Sequence, residues 1–281
     1  MSRVPLLRSR PESASVLSPT SRLSIPCLIV ACACLGWMLA SSSQAAQQRA
    51  LPAPLVYLRD VDATILQDMR YATVDNFTGR RVTGYDAPEC VLLDSVAQAL
   101  ARVQKDLASS GLSLKVYDCY RPERAVRAFV AWVRDGRSDK ATRRFHPRLA
   151  KPQLLAQGYI AQRSGHSRGS AVDLTLVRLP AAEVEPFDPA RAYGACTQPQ
   201  SERASDSSLD MGTGFDCFDA MSHTGASGLS PEQRQARQTL GSAMARHGFI
   251  NYPREWWHFS LATTEGGGRS FDVPIRARPQ R

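Results

Sequence analysis

A carboxylate stands inside an apolar strand of this chain. Residues 171–177 read Ala-Val-Asp-Leu-Thr-Leu-Val, and Asp173 lies among Ala171, Val172, Leu174 and Leu176. Burying an unpaired charge is costly. Any fold that uses this strand must therefore bring Asp173 a partner, and a metal ion would serve. The plainer reading is an Asp at a strand end that forms a turn or a cap.

The chain holds five histidines: His146, His166, His223, His247 and His258. Two sit in conspicuous settings. His166 lies in the turn Ser164-Gly-His-Ser-Arg-Gly-Ser170, seven residues before Asp173. His258 closes Glu255-Trp-Trp-His258, where two aromatics between an acid and an imidazole suggest a dry-walled cleft. Two imidazoles and one carboxylate make a three-ligand zinc set whose fourth position is open to water. Zinc lowers the pKa of that water to ~7. A nearby carboxylate can then take the proton and hand it to a leaving amine, and Glu255 is the candidate. Positions three apart on a regular strand face opposite sides. Residues 255–258 must therefore bend, bulge or be helical if both side chains face one metal. Each piece also has a structural reading: a core histidine, a capping Asp, a buried Trp pair. His146 and His247 read as loop and helix-end residues, and Asp210, Asp219 and His223 as structural.

The N-terminus reads as an address. Arg3, Arg8, Arg10 and Arg22 stand against one acid, Glu12, ahead of an uncharged apolar run over 24–40 and the small residues of 41–45. This is the layout of a secretory signal. Cleavage after Ala45 is the preferred expectation. An uncleaved anchor and a lipoprotein attached at Cys32 are the alternatives, the run being short for a span. The expected organisation is a signal peptide over 1–45, a linker over 46–55 and one domain over 56–281, periplasmic or secreted, with no membrane span left after cleavage. Losing the first 45 residues takes the formal charge from +9 to +6. No run of five or six like charges remains, so no nucleic-acid tail is indicated. Three cysteines go with the signal. Cys90, Cys119, Cys196 and Cys217 stay, an even number in an exported chain. Four cysteines allow three pairings. Cys90–Cys119 and Cys196–Cys217 are favoured because short loops close cheaply; buried free thiols are the alternative.

Periodicity predicts short strands near 55–58 and 63–66, a helix over 92–107, a strand over 113–118 and a helix starting at Pro122. It predicts an irregular stretch over 135–163, the strand 171–177, long loops over 180–228, a helix over 230–247 and a closing strand over 256–261. Ser230-Pro-Glu-Gln233 is a capping-box start. There is no βαβ rhythm, so the expected class is α+β: a small antiparallel sheet with flanking helices.

Ser164-x-His166-x-x-Gly169-x-Ala171-x-Asp173, followed by Glu255-Trp-Trp-His258, resembles the zinc D,D-peptidases, the group that also includes the hedgehog signalling domain. Tyr71-Ala-Thr-Val-Asp-Asn-Phe-Thr-Gly79, Tyr117-Asp-Cys-Tyr-Arg-Pro-Glu-Arg-Ala-Val126, Ser167–Leu176 and Met211-Gly-Thr-Gly-Phe-Asp216 are similar to its D-alanyl-D-alanine dipeptidase (VanX-type) branch. The resemblance spans about residues 56–275. It implies one Zn²⁺ per chain on His166, Asp173 and His258. Glu255 is then general base and acid, and Arg121 faces the scissile carbonyl. Asp216 holds the free amine of a D-Ala-D-Ala dipeptide, and Ser164 and Tyr71 line the pocket. Three features depart from the family pattern: Cys119 where a small residue is expected, Cys217 directly after Asp216, and a long stretch between Asp173 and Asp216. Two rival functions follow: a D,D-carboxypeptidase acting on longer muropeptides, and a non-catalytic zinc-stabilised cell-wall-binding domain.

Overall fold

The computed structural model describes residues 51–137, 139–264 and 268–279. The expected signal peptide lies outside the described residues. Along the chain run β1 (Leu55–Tyr57), α1 (Leu58–Val61), β2 (Leu66–Gln67), β3 (Val91–Leu93), α2 (Asp94–Ala108), β4 (Leu112–Asp118) and α3 (Glu123–Arg134). They are followed by α4 (Lys140–Arg143), α5 (Lys151–Ala156), β5 (Ala171–Arg178), α6 (Pro231–Arg246), β6 (Phe249–Asn251) and β7 (His258–Leu261).

Five strands form one sheet in the order β2-β4-β5-β7-β6, and β1 pairs with β3 apart from it. The class is α+β, as expected. The sheet is antiparallel except at its edge, where β2 runs parallel to β4. A parallel neighbour needs a long crossover, and residues 68–111, which include α2, supply it. Every residue of β5 from Ala171 to Val177 is buried. That is why its sequence runs apolar rather than alternating: it is central and covered on both faces. Val96, Leu100, Val103 and Leu107 line the buried side of α2, which packs on β4, while α6 packs on β5 and β6.

The Ser230 hydroxyl accepts the Gln233 N–H and the Gln233 side chain accepts the Ser230 N–H, so the capping box forms as read. Gly248 ends that segment at φ 85°, a conformation that favours glycine. Pro122, expected in the first turn of α3, stands just before it as the N-cap. β3 replaces what reads as the first turn of α2, and α4 and α5 occupy part of the stretch read as irregular. The closing strand begins at His258 rather than Trp256. The long 180–228 segment holds no α-helix or β-strand, only 3₁₀ turns and a bridge from Ser208 to Val177.

Both expected disulfides are present, Cys90–Cys119 and Cys196–Cys217. Each closes a loop of 29 or 21 residues, which in the chain-entropy picture is worth about 3–4 kcal/mol. No helix among the described residues is long and apolar enough to cross a membrane.

Candidate active site

Three neighbouring strands put the site's charged groups in one row. Register aligns Asp118 of β4 with Asp173 of β5, and Asp173 with His258 of β7. A shift in β4 between Val116 and Asp118 brings Asp118 to that position. His166 arrives from the 3₁₀ turn His166–Arg168 just before β5. Gly169 lets that turn close at φ 71°; a Cβ there would stand 2.8 Å from Leu55 Cδ2 and 3.1 Å from the Leu93 nitrogen.

His166 Nε2 lies 3.1 Å from His258 Nδ1 and 3.3 Å from Asp173 Oδ1, and His258 Nδ1 lies 2.9 Å from the same oxygen. A tetrahedral zinc with ~2.0–2.1 Å bonds has ligand atoms about 3.3 Å apart. The triangle therefore fits that ion. His166 Nδ1 meets the Cys119 carbonyl at 2.6 Å. A carbonyl only accepts, so Nδ1 carries the proton and the Nε2 lone pair faces the cluster. Among the described residues this is the one trio of histidine, cysteine or acidic side chains close enough to hold a metal.

Asp118 is the fully buried end of the row. It accepts the Tyr85 hydroxyl at 2.6 Å and the Arg121 Nε and Nη2 at 2.9 and 2.8 Å. Arg121 Nη2 lies 3.6 Å from Asp173, and its guanidinium covers the rings of Phe129 and Tyr71. Burial opposes the charge on Arg121, but Asp118 foremost and Asp173 overcome it and hold the group protonated. For Asp173 too, burial is outweighed: His166 and His258 hold its carboxyl far below the usual range. Glu255 and Asp216 go the other way. Burial pushes both well above the ordinary carboxyl value, and repulsion from Asp173 adds to it.

The bend required of residues 255–258 is there. The His258 N–H donates to the Glu255 carbonyl, and Asn251 Nδ2 donates to the carbonyls of both residues. The Glu255 carboxylate thus comes 3.8 Å from His258 Nδ1 on one side of the chain. The two tryptophans take the bland reading. Trp256 donates to Thr213 at 2.9 Å, Trp257 packs on Phe215, and neither lines the cleft. Its aromatic walls are Tyr71, Phe77, Phe129, Tyr159, Phe218 and Tyr252 instead.

Asp216 faces the same cleft in a left-handed conformation, φ 55°, and accepts the Tyr71 hydroxyl at 2.8 Å. The Ser164 hydroxyl accepts the His166 N–H at 3.2 Å, and Ser164 lines the rim. All eight residues singled out from the sequence for catalysis, metal or substrate therefore meet in one cleft of about 280 Å³. That is at the small end for ligand pockets, about 300–1,000 Å³. Cys119 and Cys217 are both paired, so neither offers a competing thiol. Sequence reasoning missed Asp118 and Tyr85. The signal was present for Asp118, a carboxylate between Val116 and Tyr120, by the same test that picked out Asp173.

Two histidines and a carboxylate at tetrahedral spacing, beside a buried glutamate and a fixed guanidinium, define a metallopeptidase. The sequence profile of the D-Ala-D-Ala dipeptidases matches residues 52–188 and 190–275. A D-alanyl-D-alanine dipeptidase of Enterococcus faecium is 33% identical over 220 residues, 78% of this chain and 97% of the relative. One of Streptomyces coelicolor is 34% identical over 219 residues, 78% and 96%. One of Escherichia coli is 29% identical over 194 residues, 69% and 77%. The chain belongs to the D-Ala-D-Ala dipeptidase family of M15 peptidases.

Proposed function

We propose that this enzyme is a zinc-dependent hydrolase of the free dipeptide D-alanyl-D-alanine. The observation that carries the reading is the trio His166, Asp173 and His258, with ligand atoms 2.9 to 3.3 Å apart, in one cleft with Glu255, Arg121 and Asp216. Buried charge must be compensated. A divalent ion on the trio would meet Asp173, and the substrate ammonium would meet Asp216.

Zinc at that trio supplies Lewis acidity toward water and the scissile carbonyl. Glu255 takes a proton from the attacking water and returns it to the leaving amine. Arg121 meets the negative charge that develops on the carbonyl oxygen. Tyr71 steadies Asp216 by its hydroxyl, and Asp216 binds the amine end. An anchor there closes the cleft to chains that continue beyond the amine, which favours a dipeptide over a muropeptide stem.

Asp216→Asn is expected to raise KM for the dipeptide about 10- to 100-fold, the worth of a charged hydrogen bond, with kcat less affected. N-acetyl-D-alanyl-D-alanine and a pentapeptide stem should be poor substrates for the wild type. Rapid cleavage of the pentapeptide would instead make the enzyme a carboxypeptidase.

The signal layout and two oxidised cysteine pairs support a periplasmic or secreted enzyme acting on dipeptide released from peptidoglycan, because disulfides persist in oxidising compartments. Cell fractionation checks this, and mature protein in the cytosol would overturn it.

A further inference from the structure

His166 is fixed from behind by one short segment. Its Nδ1 donates to the Cys119 carbonyl at 2.6 Å, and its own carbonyl accepts the Arg121 N–H at 3.1 Å. That segment is restrained at every residue. Asp118 is held by Tyr85 and Arg121, and the Tyr120 N–H donates to the Val91 carbonyl at 2.7 Å. Between them, Cys119 is bonded to Cys90. Cys90 is itself pinned: its N–H donates to Gln67 Oε1 and its carbonyl accepts the Leu58 N–H, both at 2.9 Å. Both cysteines are fully buried and neither lines the cleft. The sulfurs therefore touch neither metal nor substrate. What the bridge can control is the place of one carbonyl.

We propose that the Cys90–Cys119 disulfide is a positioning element of the metal centre. It holds the Cys119 carbonyl where that oxygen aims His166 Nε2 at Asp173 and His258. The inference rests on the zinc reading above. The hydrogen-bond partner of a ligating histidine fixes its tautomer and ring orientation, and losing such a partner costs about 10–100-fold in metal affinity. Here the carbonyl survives loss of the bridge but is free to shift, so the expected loss is about tenfold.

Cys196–Cys217 is the control. It closes a loop of similar length and lies one residue from Asp216, yet its backbone groups bond Arg144, Gly214, Asp219 and Ser222, none of them in the metal trio. The experiment is a zinc competition titration against a chromogenic chelator on the full chain, with Tm measured alongside. C90A/C119A is compared with C196A/C217A, and C90V/C119A, which refills much of the lost volume, covers failure of the first to fold. The Co²⁺ absorption band of each metal-loaded protein reports ligand geometry. The expected result is zinc binding about tenfold weaker in both Cys90/Cys119 variants, with an altered Co²⁺ band, and wild-type affinity in C196A/C217A despite a comparable fall in Tm. Wild-type affinity in the Cys90/Cys119 variants, or equal loss in C196A/C217A, overturns the proposal. A wild type that takes up no zinc fails the reading beneath it instead.

Discussion

Glu255→Gln should lower kcat for D-alanyl-D-alanine by about 10²–10⁴-fold, the usual contribution of a positioned proton-transfer group. Zinc content should not change, because Glu255 stands outside the triangle of His166, His258 and Asp173. KM should change little, since the amine is held by Asp216. Stability should move the other way from activity. Burial and repulsion from Asp173 and Asp216 raise the proton affinity of Glu255 in the folded, metal-free chain. An acid whose folded pKa lies above its unfolded value binds protons more tightly when folded. Folding is then favoured at low pH, and stability falls as pH rises above the unfolded value. A neutral isostere escapes that penalty. Chelated Glu255→Gln should therefore melt at or above the wild-type Tm at neutral pH, and the difference should shrink on acidification. A variant that keeps most of its activity removes Glu255 from the chemistry.

Arg121→Ala should damage both fold and catalysis. The guanidinium holds Asp118 through two nitrogens and lies near Asp173. Its removal leaves Asp118 with only the Tyr85 hydroxyl and the flank of His166. Breaking one side of a buried pair in this way costs about 3–5 kcal/mol. Loss of a fixed charge facing the developing oxyanion costs a further 10²–10³-fold in kcat, roughly the worth of one such donor. Arg121→Lys should regain part of the stability but less of the rate, because an ammonium cannot reproduce a two-nitrogen contact. Thermal melts and kinetics on the three proteins separate the two effects. Full activity and wild-type stability in Arg121→Ala would remove the residue from both roles.

Much of this site was legible because its chemistry is local in sequence. His166 and Asp173 lie seven residues apart around a glycine that the turn requires, and Glu255 and His258 lie in one bend. Asp173 betrayed itself by standing in a strand that is apolar on both faces. Asp118 escaped notice although the same physics applies, because its partners Tyr85 and Arg121 meet it only in three dimensions. The row Asp118–Asp173–His258 is a product of strand register, which no single segment encodes. Among the elements, α2 and α6 were readable from periodicity and capping. β3 and β6 have three residues each, too few to show a period, and β3 runs straight into α2. The Glu255–His258 bend was required by the chemistry before it was seen. The tryptophans inside it were the weaker clue: they hold the bend from the core and leave the cleft walls to Tyr71, Phe77, Phe129, Tyr159, Phe218 and Tyr252.

Zinc-dependent turnover of the dipeptide can be read in one titration. Chelator strips the purified chain, zinc is added back in fractions of an equivalent, and release of D-alanine from D-alanyl-D-alanine is followed, with His166→Ala in parallel. Activity should vanish on stripping and return linearly to a plateau at one zinc per chain, while His166→Ala stays inactive throughout. Undiminished hydrolysis by the stripped wild type, or a wild type that binds one zinc without cleaving the dipeptide, would contradict the assignment.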